Sequence, residues 1–151
     1  MSSSYLDKLK HFCAYQERCH SEVKAKLGQL KVWGNEADEI IAALITEDYL
    51  NEERFARGFA RGKFRMKQWG RNKIRQTLKE KNISAYCIKK GIEEIDEKEY
   101  LHTLEKLASD KYRSLKKDQY LKRKFKTIRY LQSKGYETAL IQETIENITG
   151  G

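Results

Sequence analysis

The sequence predicts an all-α protein made of tandem repeats of a three-helix unit, an elongated modular array curved to the right or to the left. Three observations carry that reading. Leu78, Ile83, Ile88 and Ile92 step by five, five and four residues, and Leu131, Tyr136, Ile141 and Ile145 repeat those steps 53 positions later. A looser copy runs Leu27, Trp33, Ile40 and Leu44, with three extra residues. Nothing alternates with period two for long enough to demand a strand, and the 151 residues include no proline to break a helix. Repeated units bind extended partners more readily than they cradle a small substrate.

The elements follow from helix punctuation. A first helix is predicted after Ser4, with Leu6, Leu9 and Cys13 on one face. A second follows His20-Ser21 and carries Val23, Leu27 and Leu30. Asn35 should cap a third, whose apolar stripe is Ala37, Ile40, Ile41, Leu44 and Ile45. Asn51 should cap a longer helix, with Glu52 and Glu53 suiting the dipole of its first turn and Gly70 ending it. Gly58 and Gly62 inside it suggest close helix packing rather than a phosphate loop, because no strand precedes them. A basic helix spans about 71–81, with Asn82 in the left-handed stop position that Gly135 takes in the last copy. Ser84 and Thr138 should cap the closing helices of their copies. A helix over 97–117 should turn Leu101, Leu104, Ala108 and Leu115 inward. The expected units are 1–50, 51–96 with a basic face, and 97–151.

Composition narrows the function classes. A charged fraction of 35% against 39% hydrophobic suits thin helical bundles with large surfaces. Three cysteines without framework spacing fit a reducing compartment. No apolar run reaches the length of a membrane span and Met1 to Phe12 lacks a signal-peptide core, so a cytoplasmic protein is expected, away from membranes. His11, His20 and His102 lack zinc-protease spacing, and Cys13, Cys19 and His20 lack a second ligand pair. Glu93, Glu94 and Glu97 read as a solvated acidic face rather than a catalytic pair. Neither enzymatic chemistry nor a cofactor or metal is expected.

The net charge of +9 hides a segregated pattern. From Arg54 to Lys81 eleven basic residues stand against Glu80 alone, and from Lys111 to Lys134 ten stand against Asp118. Glu36 to Glu53 holds seven acids and no base. Arg54, Arg57, Arg61 and Arg65 project within about 80° of one another on an ideal helix. Phe55, Phe59 and Met66 fall on another face, and Lys122, Lys126 and Arg129 lie opposite Leu121, Phe125 and Ile128. Like charges three or four apart cost a few tenths of a kcal/mol per pair in an isolated helix. A polyanion or an acidic protein surface would offset that repulsion, and so in part would the chain's own acidic helices.

Tyr49 to Ala56, Trp69 to Leu78 and Lys81-Asn82-Ile83, in that order and spacing, resemble the central signature of the RecX family of bacterial recombination regulators. The flanking Glu22-Val23, Lys26-Leu27, Lys111-Tyr112, Lys124, Leu131 and Lys134-Gly135-Tyr136 fit too, so the resemblance covers roughly 13–148. Asp48 and Asn82 stand where that family usually has glycine, and the segment Arg18 to Glu22 is shorter than usual. The resemblance implies stacked three-helix units that lodge in the groove of the RecA–DNA filament. There such proteins suppress its ATPase, strand-exchange and coprotease activities, in recombination, repair and the SOS response.

The basic face expected to meet the partner comprises Arg54, Arg57, Arg61, Arg65, Lys67, Arg71, Lys73, Arg75, Lys79, Lys122, Lys126 and Arg129. Trp69 is either an anchor at its edge or a core residue at an inter-helix turn. Tyr49, Phe55 and Ile74 are assigned to packing. The expected partners are the RecA filament and, weakly, single- and double-stranded DNA; the alternative is a general DNA-binding module acting without RecA. A monomer is expected, because the apolar residues are few enough to be consumed inside the units.

Overall fold

The computed structural model describes residues 2–150, with side chains from Ser4 onward. Every regular element among them is a helix. They are α1 (Ser2–Tyr15), α2 (His20–Gln29), α3 (Gly34–Thr46), α4 (Glu52–Lys67), α5 (Arg71–Glu80), α6 (Ala85–Ile92), α7 (Glu97–Ser114), α8 (Tyr120–Lys134) and α9 (Thr138–Thr149). They form an all-α helical-repeat fold. None is long and apolar enough to cross a membrane.

The sequence repeat has a physical basis in the turn before each closing helix. Lys31, Asn82 and Gly135 all have left-handed backbones, with φ of 60, 62 and 100°. The next residue then donates its N–H five residues back: Val32 to the Leu27 carbonyl at 2.9 Å, Ile83 to Leu78 at 3.1 Å, and Tyr136 to Leu131 at 3.1 Å. This is the Schellman stop, which satisfies orphan helix carbonyls and seats an apolar residue against the last turn. In the first copy that residue is Val32, 2% exposed, and not Trp33, which is 67% exposed. Asp48 (φ 65°) makes the same stop, with Tyr49 bonding Leu44 at 2.8 Å. Asp48 and Asn82 thus hold a glycine-like conformation, as residue types that tolerate it.

The chain divides into two compact units, residues 1–59 with 78–91 and residues 60–77 with 92–151. In the first, α1, α2 and α3 pack on one another around Leu9, Cys13, Val23, Leu27, Val32, Ile40, Leu44 and Leu50. Phe55, Ala56, Leu78, Ile83, Cys87 and Ile88 are buried in the same unit. Gly91 lies so close to α4 that a Cβ there would stand 2.7 Å from the Ala56 carbonyl oxygen. In the second unit α7, α8 and α9 pack mutually around Tyr100, Leu104, Leu107, Ala108, Leu131, Tyr136, Ile141 and Ile145. Tyr100 sits between Phe64 and Tyr136, with ring centroids 5.8 and 5.1 Å away. Fully burying one such large side chain is worth about 1.5–3 kcal/mol.

Several local expectations are corrected. Helix α1 starts at Ser2, ahead of Ser4. Trp33, not Asn35, occupies the N-cap position of α3, and Ile45 is 46% exposed. Glu137, not Thr138, precedes α9; its side chain makes no cap bond and its carboxylate instead accepts from Tyr100 and Arg71. Helix α4 ends at Lys67 with Gln68 left-handed (φ 58°), so Gly70 is not its stop. Gly62 faces open space, and close packing falls to Gly70, Gly91 and Gly135 instead. Helix α7 ends at Ser114; it buries Tyr100 and Leu107 as well as Leu104 and Ala108, while Leu101 is 40% exposed. Met66, Leu121 and Phe125 are exposed. Helix α8 turns Thr127 and Leu131 inward, the Thr127 hydroxyl being satisfied by the Arg123 carbonyl at 2.9 Å. The caps Asn51 and Ser84 are as expected, accepting from Arg54 N–H at 2.8 Å and Cys87 N–H at 3.2 Å.

Candidate partner-binding face

The residues of the predicted basic face fall into two chemical groups. One group is consumed by the fold. In the first unit, Arg54 Nε donates to Glu17 at 2.5 Å, and its guanidinium also reaches Asp48. Glu17 accordingly holds the Arg54 guanidinium above its ordinary range. Arg57 pairs with Glu53 one turn back at 2.9 Å. In the second unit, Arg61 pairs with Glu94 at 2.6 Å, so the acidic stretch at 93–97 is partly a structural partner rather than a solvated face. Lys126 pairs with Asp118 at 2.9 Å.

Arg71 is the most committed. Its side chain is 14% exposed and bridges Glu97 and Glu137, the latter at 2.9 Å. Its guanidinium lies over the Tyr100 ring, 3.9 Å from the centroid. The Tyr100 hydroxyl accepts from the Arg71 backbone N–H at 2.9 Å and donates to Glu137 at 2.5 Å. Burial and then Glu137 push the Tyr100 phenol far above its ordinary range. Burial would raise the Glu137 carboxyl, but the bonds from Tyr100 and Arg71 outweigh it and hold the group below the usual range. Arg71 therefore belongs to the interior of the second unit.

The other group has no carboxylate ion-pair partner among the described residues. Lys79 is exposed in the first unit; Arg65, Lys67, Lys73, Arg75, Lys122 and Arg129 belong to the second. Arg75 meets only a neutral oxygen, that of Asn72 at 3.2 Å. Trp69 is half-buried, with Lys63 Nζ 5.0 Å and Lys73 Nζ 4.6 Å from its ring. It is thus not a fully buried core residue, and two lysine amines lie against its ring.

Lys134, which the sequence places in a basic block and in the Lys134-Gly135-Tyr136 element, is not among the residues of the expected basic face. The structure gives it a specific place, its Nζ donating to the Lys67 carbonyl at 2.8 Å. The Lys134-Gly135 pair at a helix stop was the available signal. Cys13, Cys19 and Cys87 are free and buried, and no group of three His, Cys, Asp or Glu among the described residues could hold a metal.

Helices in repeated trios, with cations on their exposed faces, define an all-α helical-repeat protein. Residues 51–92 match the family model of the second three-helix domain of RecX, and residues 97–145 that of the third. The regulatory protein RecX of Oceanobacillus iheyensis is 30% identical over 138 residues, covering 91% of this chain and 51% of the relative. That of Clostridium perfringens strain SM101 is 32% identical, covering 88% and 64%. The chain thus spans about half to two thirds of the length of these curated relatives. A crystal structure of RecX from Lactobacillus salivarius superposes with a TM-score of 0.88 at 23% identity, covering 98% of this chain and 96% of that one. A second crystal structure of regulatory protein RecX gives 0.85 at 19%, covering 94% and 71%. The chain belongs to the RecX family.

Proposed function

We propose that this chain is a regulator of RecA: it binds the RecA–DNA filament and inhibits ATP hydrolysis, strand exchange and coprotease activity, without catalytic chemistry of its own. Its modules in this reading are 1–50, 51–96 and 97–151, acting as a monomer in the cytoplasm and touching DNA weakly. The observation that carries the reading is the set of cations left without carboxylates inside a chain of the RecX family. Arg65, Arg75 and Lys79 on α4 and α5, with Lys122 and Arg129 on α8, keep their charge for a partner. Unneutralised like charges on one helix are unfavourable for folding by themselves, and a polyanionic surface would offset them.

Titrating the protein into preformed RecA filaments on single-stranded DNA tests this. ATP turnover should fall at protein concentrations well below those that coat the DNA. Turnover that stays constant while bare DNA becomes saturated would instead mark a DNA-binding module with no effect on RecA.

A further inference from the structure

We propose that Lys67, Lys73 and Lys134, which lie close enough to feel one another's charge, with Trp69 beside Lys73, form a binding site for the phosphates of a single nucleic-acid strand. The three lysines come from the ends of different helices, yet the backbone fixes their meeting point. The Gly70 N–H donates to the Lys134 carbonyl at 2.7 Å, and the Asn72 N–H to the Gly135 carbonyl at 2.9 Å. The Tyr136 hydroxyl donates to the Gln68 carbonyl at 2.9 Å, and Lys134 Nζ to that of Lys67 at 2.8 Å. A turn tied down at four points holds its side chains in place before any ligand arrives, which lowers the cost of binding.

Charge and chemistry then select the ligand. Burial, and after it the positive charges of Lys73 and Lys67, lower the Lys134 amine below its ordinary range. No carboxylate pairs with these three lysines among the described residues, so the fold concentrates cations there at its own expense. Arginine forks bind carboxylate and phosphate alike, whereas lysine acts as a point charge that tolerates the varied geometry of a flexible phosphate chain. An all-lysine set beside an indole ring suits a flexible phosphate chain with bases at hand better than an acidic protein helix. The proposal rests on the filament reading above for the identity of the polyanion. It adds which residues meet DNA, leaving Arg65, Arg75 and Lys79 to the recombinase.

The test uses the whole chain without RecA, with fluorescein-labelled oligo-dT followed by anisotropy across a salt series. Log affinity should fall linearly with log salt, and each phosphate contact removed should reduce that slope by about 0.7. The triple change Lys67→Gln, Lys73→Gln, Lys134→Gln should weaken binding roughly tenfold or more and flatten the slope by about two. The triple arginine variant at the same positions should bind like the parent, and a control changing Lys106, Lys116 and Lys117 to Gln should keep the parent slope. Because Lys67 is exposed, Lys67→Gln alone should fold normally and still lose its single step of slope. Parent-like affinity and slope in the glutamine triple, or a parent that binds polyglutamate but not oligo-dT, would overturn the proposal. Failure here with RecA inhibition intact sinks only this site; oligo-dT binding with RecA turnover untouched sinks only the filament reading.

Discussion

The backbone of Gly70 lies directly against that of Gly135. A Cβ built on Gly70 would collide with the Gly135 carbonyl group, and one built on Gly135 would collide with Lys73. Two helix ends, α5 starting and α8 finishing, can meet there only because neither residue has a side chain.

Gly70→Ala is therefore expected to destabilise the protein by about 2–3 kcal/mol, since backbone rather than a flexible side chain must give way. Gly62→Ala is the contrast: nothing lies within 4 Å of its Cβ position, and it sits inside α4. It should stabilise by about 0.5–1 kcal/mol through helix propensity. Chemical denaturation of both variants checks the pair.

The Tyr100–Glu137–Arg71 network makes stability depend on acid. The Glu137 carboxyl is held below its ordinary value of 4.5 in the folded protein. Its contribution is thus fully present above that value and is lost as pH falls through the lower, folded one. Glu137→Gln should flatten the stability profile on the acid side of pH 4.5 and lower stability at neutral pH. Tyr100→Phe leaves the Arg71 N–H and one Glu137 oxygen without their partner, and should cost about 1–3 kcal/mol in urea denaturation at pH 7.

Lys31 takes a left-handed conformation that a lysine adopts only at a cost (φ 60°). Lys31→Gly should raise stability by up to about 1 kcal/mol, the relieved strain exceeding the added chain entropy of glycine. Thermal melts of the two proteins decide this.

The same residue explains why the first repeat was hard to read. The later copies announce their stops with Asn82 and Gly135, so the apolar step to Ile83 and Tyr136 is legible. Lys31 gives no such signal, and of the adjacent Val32 and Trp33 the larger residue drew the assignment. The fold class and the order of the helices came through because apolar spacing is local. Which arginines stand in ion pairs did not, because Arg71 and Glu137 are far apart in sequence and meet only through tertiary packing. On α8 the spacing of Leu121, Phe125 and Ile128 does not mark the buried face, because Thr127 is buried with its hydroxyl bonded to its own helix.

That α8 register gives another test. Leu121 and Phe125 are 62% and 60% exposed, whereas Leu131 is fully buried. Leu121→Ser and Phe125→Ser should each change stability by no more than about 0.5 kcal/mol. Leu131→Ala should cost about 2–5 kcal/mol in the same denaturation experiment.

The most direct measurement compares two sets of charge changes by their inhibition of ATP turnover in preformed RecA filaments. Arg65→Glu, Arg75→Glu and Lys79→Glu together remove cations that no carboxylate engages, and inhibition should be lost with helicity unchanged. Arg57→Gln with Lys126→Gln removes cations already engaged by Glu53 and Asp118, and inhibition should stay near the parental level. Full inhibition by the first variant, or loss of it in the second alone, would contradict the account.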